Sequence, residues 1–132
     1  MTVKFFDLHD DENLDSGTSV TDGPAVKILL NRNVRRQPFV CKLVHEQQTE
    51  LLIGLGASQC FVQHSSTNGD SPYLVAYLES ERTKTGVAEF LITNSPTEIR
   101  LRQCIPLSIL LDVAAYYVET GERSPAVLWE DA

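Results

Sequence analysis

The chain has no long hydrophobic run, few cysteines and too few bases to balance its acids. No window approaches the roughly eighteen consecutive apolar residues of a membrane-spanning helix. The amino terminus, MTVKFFDLHDDEN, turns acidic after a few residues and lacks the apolar core of a secretory signal; a cytoplasmic protein is expected. Three cysteines, Cys41, Cys60 and Cys104, are an odd and widely spaced set. That argues against a disulfide framework, and each lies in an apolar run where a reduced cysteine acts as a small hydrophobe. Eleven bases against 18 acids give a net charge of −7. A surface of that sign repels a phosphate backbone, so nucleic acid is not an expected partner. It does suit capture of a basic protein, if the acids gather.

What is present is ordinary globular material. The 132 residues are 42% hydrophobic and 22% charged, enough for one domain with a proper core. We read residues 1–132 as a single domain, with 1–23 as an acidic segment of undefined structure. Residues 2–8, TVKFFDL, fit a short strand, and DLHDDENLDSGTSVTDG after them reads as a loop. Pro24 suits a helix start, with Thr21 or Asp22 as cap. Val26, Leu29 and Leu30 then share a helical face, and Arg32, Arg35 and Arg36 form a small basic patch at its end.

The middle alternates like strands. PFVCKLVHEQ places Phe39, Cys41, Leu43 and His45 on one side. ELLIGLGA, QCFVQHSS and YLVAYLE follow, with Asn68-Gly69 as a strong turn signal. GVAEFLIT has Val87, Glu89, Leu91 and Thr93 on one face, and NSPT is expected to turn the chain into EIRLRQC. The period then changes. IPLSILLDVAAYYVETG has Pro106 in its first turn and a stripe of Ile109, Leu110, Val113, Tyr116 and Tyr117. Gly121 is placed as a left-handed stop, and AVLW reads as a last strand. The fold class is α+β: a mostly antiparallel sheet of five to seven strands with two packed helices.

The motif content is thin. CKLVH and CFVQH repeat a Cys-x-x-x-His spacing, but on strands the two members lie about 13 Å apart. Neither pair chelates one ion, and cross-strand pairing of Cys41 with His64, or Cys60 with His45, would give only two-ligand sites; no metal or other cofactor is expected. No nucleophile elbow is present, and a hydrolase built on Cys60 and a histidine lacks a base-orienting motif. Gly54-Leu55-Gly56 lacks the third glycine and the helix of a dinucleotide site, so it reads as a bend in the sheet. That curved region, with Tyr73, is where a small-ligand or accessory domain would bind. The acids are more suggestive. Asp7, Asp10, Asp11, Glu12, Asp15 and Asp22 come without an intervening base, and Glu79, Glu81, Glu119, Glu122, Glu130 and Asp131 fall at element ends.

The carboxy-terminal stretch IPLSILLDVAAYYVETGERSPAVLWED resembles the ending of immunity protein family one, from bacterial polymorphic-toxin systems. The shared features are Ile105-Pro106, the helix to Glu119, Thr120-Gly121-Glu122-Arg123, Pro125 and Trp129-Glu130. ELLIGLGASQCFVQHSS, SPYLVAY and GVAEFLI are similar to the preceding strands of that family, so the resemblance covers roughly residues 25–131. Ser124 departs from it, standing where many members place proline directly after the arginine, which would relax the turn. The resemblance implies a non-enzymatic inhibitor that binds a cognate toxin, commonly a nucleic-acid deaminase or another nucleic-acid-targeting protein, and blocks its active site or substrate cleft. It also implies that Pro106, Gly121, Pro125 and Trp129 are scaffold. Contacts with a basic toxin are then expected in loops and edges: Asp10, Asp11, Glu12 and Asp15, the turn at Asp70, and Glu79 with Glu81.

Overall fold

Nine strands and two helices make up the chain in the computed structural model, which describes Met1 to Ala132. The strands are β1 (Val3–Asp7), β2 (Ser19–Val20), β3 (Phe39–His45), β4 (Thr49–Leu55), β5 (Phe61–Ser66), β6 (Leu74–Tyr77), β7 (Val87–Ile92), β8 (Ser95–Arg100) and β9 (Leu128–Asp131). The helices are α1 (Gly23–Arg32) and α2 (Leu107–Thr120). The main path runs β2-β1-β3-β4-β5-β6-β9, antiparallel throughout. The β7–β8 hairpin branches from it where Leu91 pairs in parallel with Phe39.

Alternation along the strands sorts the side chains onto two faces. Val3, Phe5, Phe39, Cys41, Leu43, Leu51, Ile53 and Val62 form one cluster with Val26, Leu29, Leu30, Leu110, Val113, Tyr117 and Val118 from the helices. On the other face Val40 and Phe61 pack with Phe90 and Cys104 under the hairpin. Phe61 and Phe90 meet edge to face, with centroids 5.0 Å apart. Both rings occupy the space over Gly54, where a methyl group would overlap the Phe61 ring. The sheet bend that marked a ligand site in the sequence is therefore filled by aromatic side chains.

Helix starts and stops follow local chemistry. Asp22 caps α1 by accepting from the Ala25 amide at 2.8 Å, and Glu119 of α2 accepts from the Gly23 amide at 3.0 Å. Two carboxylates at a helix amino terminus favour the macrodipole. Pro106 is the N-cap of α2, its carbonyl accepting from Ile109 and Leu110. Gly121 ends that helix at φ +75°. The buried stripe of α2 is Leu110, Val113, Ala114, Tyr117 and Val118, with Tyr116 38% exposed. It is rotated from the expected stripe because Ala114 and Val118 complete the face that packs on the sheet.

The sheet exceeds the expected five to seven strands for two local reasons. β2 is only two residues long and carries no readable alternation. The hairpin turns at Thr93–Asn94, with Thr93 at φ +51°, so Ser95 and Pro96 belong to β8 and not to the turn. Pro96 is tolerated because β8 is an edge strand bonded only to β7. Leu101–Gln103, expected as strand, is a 3-10 turn, and β9 starts at Leu128, two residues later than the AVLW reading.

Candidate functional site

Strand directions decide which acids share a neighbourhood. β1 and β6 both run toward the end of the sheet where β3 begins, whereas the turn after β5 lies at the other end. Asp10, Asp11 and Glu12 after β1, and Glu79 and Glu81 after β6, thus sit at one end, near opposite margins. Asp70, in the β5–β6 connection, sits at the opposite end. Seven candidates do not converge on one point.

The amino-terminal acidic loop is held in place by its own side chains. Asp7 has a fully buried carboxylate that accepts from the backbone amides of His9 and Asp10, each at 2.8 Å, and from Asn13 Nδ2 at 2.9 Å. Arg35 adds an ion pair at 2.7 Å and stacks over Phe39, 4.1 Å from its centroid. Burial alone would push the Asp7 pKa up, but the donors from Asp10, Asn13, His9 and Arg35 outweigh it and hold the value below that of a free aspartate. Asp15 is a second tie. It accepts from Arg32 at Nε (3.0 Å) and Nη2 (2.7 Å), and from Asn33 Nδ2 at 2.8 Å. Arg32 and Arg35 are therefore anchors of the loop, not a free basic patch.

This leaves Asp10, Asp11 and Glu12 exposed and free of ion pairs, while Asp15 is committed to structure. Asp70 is exposed and free as well. Glu79 and Glu81, on a 3-10 turn, face Arg82 at 3.5 Å and Lys84 at 2.8 Å, each three residues on. Exposed pairs of this kind hold each other weakly.

The sequence reading missed Glu89 and Glu98. Both are exposed, and the hairpin register sets them directly opposite one another. The alternation of GVAEFLIT places Glu89 on one face with Val87, Leu91 and Thr93; pairing it with Glu98 required the two-residue turn that NSPT concealed.

The thiols and histidines form no reactive constellation. Cys41, Cys60 and Cys104 are free and buried, and burial raises the pKa of each, that of Cys104 to about 11. Buried, protonated thiols are poor nucleophiles. His64 lies opposite Leu51 and Cys41 opposite Ile53, while Cys60 bridges to Ile105 and His45 pairs with Val3, so neither cross-strand Cys–His pair forms. No cluster of three or more His, Cys, Asp or Glu side chains stands close enough to hold a metal ion. His64 packs instead between Tyr117 and Trp129, edge to face with both.

The carboxy-terminal ending is tied down internally. Trp129 donates its indole N–H to the Ser124 carbonyl at 2.9 Å and packs against the helix-side core. Ser124, only 3% exposed, accepts from the Ala126 amide at 3.1 Å. The serine thus fastens the turn that it was expected to relax. Glu130 accepts from Gln103 at 3.0 Å and faces Arg102 at 3.7 Å.

The structure defines a two-helix α+β scaffold with buried thiols and exposed carboxylates on its loops. The match to a family model makes the class specific: residues 11–131 fit immunity protein Imm1, and the chain belongs to that family. Among curated proteins, none matches the chain. The family match includes residues 11–24, which the resemblance in the sequence had left unplaced. Membership implies a cognate toxin as partner, and the family is generally non-enzymatic.

Proposed function

We propose that this chain binds and neutralises a cognate bacterial toxin that acts on nucleic acid, of the deaminase type or another, by covering its active site or substrate cleft. The supporting observation is the family match over nearly the whole chain, joined to an excess of carboxylates that the fold leaves unpaired. A protein that handles DNA or RNA must present positive charge around its cleft. An acidic inhibitor gains association rate from steering toward such a cleft. Asp10, Asp11 and Glu12, carried on a loop that Asp7 and Asp15 make rigid, supply charge without the ordering cost of a mobile segment. Glu79 and Glu81 extend this end of the sheet, and Asp70 is a separate contact at the other end. The protein acts in the cytoplasm of the cell that makes it, without a cofactor.

Co-expression tests the reading. Cells producing the protein encoded immediately upstream should stop growing, resume growth when this chain is co-produced, and yield a copurifying complex. Continued growth arrest, with this chain soluble and abundant, would reject it.

A further inference from the structure

The β7–β8 hairpin carries two opposed acids on one face. Its inner face, with Ala88, Phe90, Ile92 and Ile99, packs on Val40, Phe61 and Cys104. Its other face carries Val87, Glu89 and Leu91 beside Arg100, Glu98 and Pro96; Leu91 is half-buried against the helix-side core, and Val87, Glu89, Glu98, Pro96 and Arg100 are exposed. Glu89 and Glu98 are directly opposed across the strands, and like charges in that position destabilise a strand pair. Neither joins an ion pair, although Arg100 stands one register step away on the same face. A groove of about 430 Å³ is lined by Gln37, Pro38, Glu89, Leu91 and Pro96, so that Glu89 borders it and Glu98 stands across the strand pair from Glu89. On the other side Val87 is 50% exposed. The hairpin also touches the acidic loop, since the Thr93 amide donates to the Leu8 carbonyl at 2.9 Å and the His9 ring meets the Thr93 carbonyl.

We propose that this other face, Glu89 and Glu98 with the groove at Pro38, Leu91 and Pro96, is a docking surface for a basic protein partner. The partner sets a lysine or arginine between the two carboxylates and an apolar side chain in the groove. Charge complementarity selects such an occupant: it relieves the repulsion of the opposed pair, and a neighbouring apolar contact supplies the anchor that charged rims lack. The proposal rests on the reading of the chain as the inhibitor of a basic toxin, and it names the surface.

The test separates the two. Wild type, E89Q/E98Q, E98K and a remote control, E122Q, are titrated against the protein encoded immediately upstream, and their Tm values are measured. E122Q should bind as wild type does. E89Q/E98Q should bind at least about tenfold more weakly, and E98K about a hundredfold more weakly, through lost or reversed charge at a packed contact. E98K turns the opposed pair into a cross-strand ion pair, so its Tm should rise by about 1–4 °C. Unchanged affinity in a folded E98K would overturn the docking surface and leave the immunity reading intact. An affinity loss accompanied by a lower Tm in both variants would also overturn it, because the glutamates would then be structural. Failure of wild type itself to bind removes the reading and the surface together.

Discussion

Asp7→Asn is the substitution that presses hardest on the idea of a rigid acidic loop. The wild-type carboxylate is fully buried and receives two backbone amides, the Asn13 amide and the Arg35 guanidinium. An asparagine keeps one oxygen for the His9 and Asp10 amides. Its new NH₂ group, however, points at two other donors, Asn13 Nδ2 and Arg35. Removing one partner of a buried ion pair costs about 3–5 kcal/mol. Arg35 retains 31% side-chain exposure, so water recovers part of that loss. We therefore expect about 2–3 kcal/mol, which for a chain of this size lowers Tm by roughly 6–15 °C. Urea unfolding at neutral pH measures the loss, and hydrogen exchange should quicken at amides 9–17 while β3 to β5 stay protected. The pH dependence fixes the cause. The folded pKa of Asp7 lies below its unfolded value, so its contribution is present above the ordinary aspartate value of about 3.9 and disappears as pH falls through the folded value. Wild type and variant should converge in acid. A loss under about 0.5 kcal/mol at neutral pH, or a gap that persists in acid, would refute the reasoning.

Three further outcomes are expected. Trp129→Phe removes the indole bond to Ser124 and should cost about 1–2 kcal/mol in urea unfolding, while toxin affinity stays unchanged if the ending is scaffold. Gly54→Ala forces a methyl into the Phe61 and Phe90 rings, and overpacking there should cost about 3 kcal/mol by the same assay. His45 and His64 are held below the ordinary histidine pKa, chiefly by burial. The neutral forms are thus favoured in the fold, stability is full above about pH 6.5, and it should fall as pH drops through the folded values; urea midpoints at pH 7.5 and 5.5, with an NMR titration of both rings, check this.

Much of the scaffold was legible because its signals are local. Pro106, Gly121 and Asp22 act within one turn of chain, and the alternation from Phe39 to His45 reports burial directly. The β7–β8 register was not legible, because Ser95 and Pro96 look like turn residues, and only their position on an edge strand lets proline stay in the ladder. Ser124 was misread for a related reason: its value lies in contacts with Ala126 and Trp129 that form only once the chain has turned. The candidate site divided in the same way. Exposed Asp10, Asp11, Glu12 and Asp70 could be named from composition, but nothing local showed that Asp7 and Asp15 spend their charge on Arg35 and Arg32. The opposition of Glu89 and Glu98 depends wholly on register.

The central claim is inhibition by stoichiometric contact, and one titration tests it. The purified protein is added stepwise to the proposed toxin, the protein encoded immediately upstream, while conversion of its proposed nucleic-acid substrate is followed. The account predicts that activity falls linearly to zero at one equivalent, and that raising salt slows the onset of inhibition. Undiminished activity at a severalfold excess of folded protein would contradict it.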